Sequence, residues 1–492
     1  MSPSHAADEP WPMRDAAARA LARQVERAIH DGSAVVLVGQ QNLSVRCQDT
    51  EHGALLYRRP KVEANDKYDR VWAEPAIIRA MSHLPQTPGI VYATPGWKRG
   101  DEHFMLIEYI EGATKPPENG PAFRQPFPER LVESDIPEYM GQVSRLSIDA
   151  SPIGVVPPAT REGFIDHHTR RIRQDWARVT GIPAVGRLHE DLDFPEDFAR
   201  LIAAPVDTLE HVPEVRHVKG LPDIWAGNMG VLHDRTVFFD PELLTVGDPR
   251  YFIAVTLNQC LLPEDQEVRL QERAREELGV PERGFDEGVT AWRDLRRASG
   301  AIISPEWRAN NFADSVAYGV PEETVAREIA CLAEQHAAGW GKDMGRLGGG
   351  ELSAEALAWA YRRMYEDAVA RHKAAGSPRP QGPRRTLVLA VPEGFSPSSS
   401  VRAYAEGTAR KRPELRRGGL TAVPEPSRQA SPAPVTSIAN TAAALPTVSS
   451  LANEVRRSAP GINVGLPAKL PGVGHVDAHQ DKSLGVMAER SR

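Results

Sequence analysis

The sequence predicts an α+β chain: a small antiparallel sheet carrying one helix, then a mainly helical region, then a disordered C-terminal tail. Three observations lead there. Short β-like runs cluster before residue 112, and helical periodicity dominates from about residue 130 to 376. After residue 376 the composition turns to Pro, Ser, Ala and Thr.

The elements follow in order. "MRDAAARALARQVERAIH" (13–30) repeats apolar residues at helical spacing through Ala18, Leu21, Ala22, Val25 and Ile29, and Asp31-Gly32 stops it. "SAVVLVG", "NLSVRCQ" and "GALLYRRP" read as strands, separated by the turn signals "GQQ" and "DTEHG". "DRVWAEPAIIRAMSHL" reads as a helix, provided that Pro75 sits in its first turn or kinks it. "GIVYATPGWKRGDEHFMLIEYIEG" supplies two more strands joined at "KRGDEH". Helical patterns then recur in "PEYMGQVSRLSI", "REGFIDHHTRRIRQDWARV", "VTAWRDLRRAS", "VAREIACLAEQHAAG" and "SAEALAWAYRRMYEDAVARHKAAG". Only "AGNMGVLHDRTVFFDP" interrupts them, as a hairpin-like pair. No aromatic residue follows Tyr404, so residues 377–492 lack the means to build a core and are expected to be disordered, as are residues 1–12. The basic stretch "RKRPELRR" in that tail reads as solvated chain.

Composition narrows the function classes. At 492 residues the chain has room for two lobes, and its net charge of −7 supplies no positive field to recruit nucleic acid or an anionic membrane. Three dispersed Cys (Cys47, Cys260, Cys331) give neither a zinc spacing nor a disulfide framework, which points to a reducing compartment. The N-terminus lacks a basic and then apolar secretory pattern, and the longest aliphatic runs are far too short to span a bilayer. A cytoplasmic protein without membrane or nucleic-acid partners is expected.

The chemistry-bearing residues lie in "LPDIWAGNMGV" (221–231) and "RTVFFDPELLTVGDP" (235–249), which place Asp223, Asn228 and Asp240 in that order. Moving a phosphoryl group to a hydroxyl needs a carboxylate beside the hydroxyl and Mg²⁺ on the nucleotide phosphates, and Mg²⁺ keeps waters and asks for few protein oxygens. Asp223 stands where the proton acceptor of such a loop stands, and Asn228 follows at the D-x-x-x-x-N spacing of a kinase-type catalytic loop. That spacing alone recurs by chance in many chains; the ordered set of loop, hairpin, apolar strand and terminal Asp240 is far more specific. "GWGKDMGRLGGG" (339–350) reads as a flexible loop, since Asp343 follows Lys342 where a phosphate loop requires Ser or Thr. His167-His168, beside Arg170, Arg171 and Arg173, read as an exposed basic helix face, and Trp176 and Trp292 as core anchors.

On these residues the chain resembles the aminoglycoside phosphotransferase and choline kinase-like family, small-molecule kinases with a protein-kinase-like fold. That family's H-G-D-x-x-x-x-N, I-D-[WFP]-E and G-D-P-x-x-D-L-A segments correspond here to Leu221-Pro222-Asp223…Asn228, Phe239-Asp240-Pro241-Glu242 and Gly247-Asp248-Pro249…Ala254. "VGQQNLSV" resembles its nucleotide loop, "LLYRRP" its basic strand, "RVWAEPAIIRAM" the helix pairing with that strand, and "FMLIEYIEG" the strand entering the hinge. The resemblance covers roughly residues 30–260 and departs at Leu221 for His, Arg58 for Lys and Phe252 for an acidic residue.

The resemblance implies a two-lobed fold, with an antiparallel-sheet N-lobe over residues 13–112 and a mainly helical C-lobe over 113–376. It implies ATP and Mg²⁺ as cofactors and a hydroxyl-bearing small molecule as substrate. Gly39, Gln40, Gln41 and Asn42 would wrap the nucleotide, Arg58 would meet phosphate with Glu74 as its ionic partner, and the backbone of Glu108, Tyr109 and Ile110 would meet adenine. Asp223 would be the catalytic base, Asn228 and Asp240 the Mg²⁺ ligands, and Asp248 an ordering residue of the catalytic segment. A second reading stays open, on Leu221 and Phe252: a pseudokinase-like module that binds nucleotide or a partner without turnover, with the tail used for interactions.

Overall fold

The computed structural model describes residues 10–34, 36–38, 42–60, 74–94, 103–146, 160–192, 198–241, 244–317, 319–341, 352–376, 395–409 and 411–413. All of them fall within one compact unit, Met1–Gly418.

Helix α1 (Asp15–His30) leads into strands β1 (Val36–Val38), β2 (Asn42–Asp49) and β3 (Gly53–Pro60), then helix α2 (Glu74–Met81), β4 (Ile90–Ala93) and β5 (Met105–Glu108). The five strands form one antiparallel sheet in the order β1-β2-β3-β5-β4. The β2–β3 turn is closed by the Asp49 carboxylate, which accepts from the backbone N–H of Glu51 (3.0 Å) and His52 (2.9 Å), before Gly53 reverses the chain at φ 75°.

Alternation along the strands sorts side chains between two faces. Val45, Leu55, Tyr57, Tyr92 and Leu106 pack with Leu21, Ala22 and Val25 of α1. Ile90, Met105 and Ile107 pack on the other face with Ile78 of α2. Arg58, one residue after Tyr57, is therefore presented on the α2 side. Pro75 occupies the first turn of α2, where its missing N–H costs nothing.

The helical region comprises α3 (Ile136–Ser144), α4 (Arg161–Thr180), α5 (Pro183–Asp191), α6 (Phe198–His211), α7 (Pro249–Cys260), α8 (Glu264–Glu277), α9 (Phe285–Ala317), α10 (Glu322–His336) and α11 (Ala354–Ala375). One core runs through it, with Trp292, Tyr361, Phe164 and Phe252 nearly inaccessible. Two short antiparallel pairs are set into these helices: β6 (Val218–Gly220) with β9 (Thr245–Gly247), and the expected hairpin β7 (Met229–Val231) with β8 (Thr236–Phe238). Among the described residues no helix is long and apolar enough to cross a membrane.

The expected boundary at residue 376 moves. Ser399–Ala405 is a further helix, α12, capped by the Ser398 hydroxyl, with Val401 and Ala405 fully buried in the helical core. The Ser398 N–H donates to Glu334 on α10 (3.1 Å) and the Ser400 hydroxyl to Glu355 on α11 (2.9 Å). Arg412 then lies over the Trp359 ring at 5.1 Å. This segment builds no core of its own; Val401 and Ala405, with Tyr404 packed partly buried beside them, complete one already present.

Candidate active site

Arg58 joins the sheet to the catalytic-type segment. Its Nη1 lies 2.8 Å from a Glu74 carboxylate oxygen at the start of α2, and its Nη2 lies 2.6 Å from Asp240 Oδ1 just beyond β8. Glu74 has no exposed surface, and the Arg58 side chain is 12% exposed. Burial acts to lower the guanidinium pKa, but Asp240 and then Glu74 outweigh it and raise the value, so the group stays charged. The two carboxylates are reached through different nitrogens, a fork that a lysine ammonium does not reproduce.

The loop between β6 and β7 holds Asp223 and Asn228. A single 3₁₀ turn, Ala226–Asn228, brings the Asn228 amide back so that Nδ2 donates to Asp223 Oδ2 (3.0 Å) and to the Asp223 carbonyl (3.2 Å). The Trp225 ring lies over Gly227, where a Cβ would stand 2.1 Å from it and displace the indole. The Asn228 carbonyl accepts from the Phe239 N–H (2.8 Å), tying the loop to the residue before Asp240. Asp223 is buried, and its Oδ1 accepts from Gln259 Nε2 (3.3 Å) at the end of α7.

Asp240 adopts φ 59°, the left-handed region, where Asp is one of the few side chains tolerated. Such conformations concentrate at functional sites, held there by the surrounding structure. With Asn228 Nδ2 committed to Asp223, its Oδ1 is the atom left to meet a cation, so the pair offers one amide oxygen and one carboxylate. That donor set fits Mg²⁺, which retains water and shares the phosphate oxygens of its nucleotide. Among the described residues no group of three or more His, Cys, Asp or Glu could hold a metal unaided.

No protein-family model matches the chain. No curated protein matches it. Solved structures do. The chain is similar to phosphotransferases and choline kinases of known structure. A macrolide 2'-phosphotransferase from Brachybacterium faecium shares 14% identity at a TM-score of 0.40, over 58% of this chain and 93% of its own. An ADP-bound aminoglycoside phosphotransferase shares 14% at 0.36, over 60% of this chain and 89% of its own. A choline kinase from Streptococcus pneumoniae shares 13% at 0.39, over 57% and 89%.

Of the remaining sequence-predicted residues, Gly39, Gln40 and Gln41 lie outside the described residues, while Asn42 opens β2 opposite Pro60. At the end of β5, the Glu108 N–H donates to the Gly89 carbonyl (2.8 Å) and the Tyr109 N–H to that of Ala54 (3.1 Å). The Glu108 carboxylate turns back to accept from the Gly89 N–H (3.2 Å), and Arg46 covers the Tyr109 ring at 4.8 Å. These bonds fix the backbone through which Ile110 leaves the sheet. Asp248 caps α7 and is clamped by Arg250 (2.7 Å) and the Trp292 indole N–H (3.2 Å), a buried ordering role.

Leu221 and Phe252 belong to the core, and a Cβ on Gly220 would stand 2.5 Å from the Phe252 ring. His168 differs from the expected exposed face: its ring packs 4.6 Å from Phe164 and Tyr251. Gln259 was not anticipated, since no spacing links the last turn of α7 to a loop 36 residues earlier. A cavity of about 660 Å³ lies elsewhere, between α1 and the sheet, lined by Arg19, Arg23, Glu26, Arg27, His30 and Tyr57. It shares no residue with the Arg58–Asp240–Asp223 group.

Proposed function

We propose that the chain is a phosphotransferase that moves the γ-phosphate of ATP to a hydroxyl of a small molecule, with Mg²⁺, in the manner of the aminoglycoside phosphotransferases and choline kinases. The observation that carries this reading is Arg58, which spans Glu74 and Asp240 while Asp240 adjoins the Asp223–Asn228 loop. That residues up to 182 positions apart meet here supports reading Arg58 as the phosphate-binding cation, Glu74 as its acidic partner, Asn228 and Asp240 as the cation ligands and Asp223 as the base.

In this reading the sheet with α1 and α2 is one lobe and the helical region the other. The backbone of Glu108 to Ile110 receives adenine, and Arg58, held by Glu74, receives phosphate oxygen. Asn228 Oδ1 and the Asp240 carboxylate would hold the Mg²⁺, which would supply positive charge beside the phosphates. The Asp223 carboxylate accepts the proton of the acceptor hydroxyl as the hydroxyl oxygen attacks the γ-phosphorus; the bond from that phosphorus to the β–γ bridging oxygen breaks and ADP leaves. Leu221 and Phe252 weigh little toward a module without turnover. They exchange polar for apolar packing, and the base stays anchored by Asn228 and Gln259.

The test is ATP consumption by the purified protein against aminoglycosides, macrolides, amino alcohols, sugars and hydroxy acids, beside Asp223→Asn. The base role predicts intact ATP·Mg²⁺ binding in Asp223→Asn with turnover lower by ~10²–10⁴-fold. Wild-type turnover equal to that of Asp223→Asn removes the base assignment. Absence of ATP binding in millimolar Mg²⁺ removes the whole reading.

A further inference from the structure

The Asp223 carboxylate is gripped on both oxygens by side-chain amides. Asn228 lies within the same loop and doubles as a cation ligand in the reading above. Gln259 comes from a different element and has no such second duty. It sits on the last turn of α7, which is fixed against the loop: the Cys260 thiol donates to the Ile224 carbonyl (3.6 Å), and Asn119 Nδ2 donates to the Cys260 carbonyl (3.2 Å). Leu261, at φ 47°, then ends the helix abruptly.

Only an amide NH₂ can meet a carboxylate oxygen favourably, so the Asp223 contact fixes which way the Gln259 amide points: Nε2 toward the base, Oε1 away from it. That Oε1 is buried and has no hydrogen-bond partner among the described residues. A residue selected only to fill this space would be apolar, because an unmet buried carbonyl lowers stability. The amide is retained at that cost, and its hydrogen bond goes to Asp223.

We infer that Gln259 is a positioning residue for Asp223; the inference rests on Asp223 being the base of the proposed reaction. With a donor on each oxygen, rotation of the carboxylate about its Cβ–Cγ bond is restricted, which fixes the direction it presents to the acceptor hydroxyl. Losing one donor therefore changes the aim of Asp223.

Gln259→Leu keeps the volume and removes the donor, and Gln259→Glu sets a second carboxylate beside the base. Turnover is read with the acceptor found by screening, or as slow ATP hydrolysis with water as the acceptor; Tm is read without nucleotide. The expected result for Gln259→Leu is an unchanged or higher Tm, kcat lower by about 10–100-fold, and an unchanged KM for ATP. Gln259→Glu, which puts an acceptor where the donor stood, lowers kcat at least as far at the same KM. A Gln259→Leu variant whose lower kcat comes with a lower Tm or a raised KM for ATP shows a structural role and overturns the inference. So does one with wild-type kcat, and if Asp223→Asn is then inactive the base reading survives alone. If Asp223→Asn matches wild type, or wild type turns over nothing, both fall together.

Discussion

Replacing Arg58 by Met removes one guanidinium that serves two carboxylates. Glu74, fully buried, and Asp240, whose side chain is 22% exposed, then face each other's field without the intervening cation. Breaking a buried ion pair by deleting one partner typically costs about 3–5 kcal/mol, because the other charge is left in a poor solvent. The partial exposure of Asp240 argues for the lower half of that range. Arg58→Lys is the sharper test. Nη1 and Nη2 reach the two acids separately, at 2.8 and 2.6 Å, and a single ammonium keeps only one contact at full strength. The loss of one charge-assisted hydrogen bond, about 1.5–3 kcal/mol, is expected from a substitution that leaves net charge untouched. Urea unfolding followed by fluorescence reads both variants as a shift in midpoint at constant slope, and calorimetry reads the accompanying loss of ATP·Mg²⁺ affinity. A stability change below about 0.5 kcal/mol in Arg58→Met, or an Arg58→Lys protein equal to wild type in stability and nucleotide affinity, refutes the bridging role.

Three further outcomes follow from the same geometry. Asp240→Asn should weaken metal-dependent ATP binding itself, so that the roughly 2.7 kcal/mol of stabilisation at 100 times Kd in Mg²⁺ shrinks toward the metal-free value; an undiminished thermal shift counts against Asp240 as a ligand. His189, stacked on Trp176 at 5.1 Å, is pulled by burial down to about 4 in the fold, below its ordinary 6.5. The unfolded chain therefore takes up the proton first, and stability present above pH 6.5 is lost as pH falls toward 4, by roughly 1–3 kcal/mol. His189→Phe should flatten that slope in part, since buried His336, held low by burial and by Arg308, titrates in the same direction; an unchanged slope removes His189 as a contributor. Truncation after Gly376 should lower stability by on the order of 2 kcal/mol, because Val401 and Ala405 leave the core, whereas truncation after Pro413 should keep it. Limited proteolysis yielding a stable fragment ending near 376 contradicts the docked helix.

The strands, the β2–β3 turn and most helices were legible because their apolar residues repeat at period 2 or 3.6 with clear stops. Arg58 is a case in which that reading extends to the site: alternation from Tyr57 places it on the α2 face, where Glu74 waits. For Asp223, Asn228 and Asp240, their order and the hairpin between the last two were legible through spacing, while their roles belong to the proposed reaction. Gln259 was not, because its approach depends on how α7 crosses the loop, and helix crossing leaves no local periodicity. The docking of α12 was hidden for a related reason: Val401 and Ala405 carry too little apolar surface to stand out, and their burial is decided by the groove that α10 and α11 provide. His168 was misjudged because neighbouring arginines mark the helix as basic, while its partners Tyr251 and Trp292 lie far along the chain.

The pairing of β6 with β9 has a consequence for engineering. Gly220 and Thr245 stand opposite each other across two antiparallel strands, so the stretch carrying Asp223, Asn228 and Asp240 enters and leaves through a single doorway. It can be exchanged as one cassette between chains of the same topology, with junctions at 220 and 245 that disturb only a strand register already fixed by backbone hydrogen bonds. What the recipient must provide from outside the cassette includes a forked cation at the position of Arg58, an amide at the position of Gln259, an aromatic ring seated against Gly220, and the backbone partners that Thr114 and Gln86 give to Val231 and Phe238. Chimeras that keep these should fold with the cassette in place, and those that lack one should report, by which property fails, which side of the doorway was left unsupported.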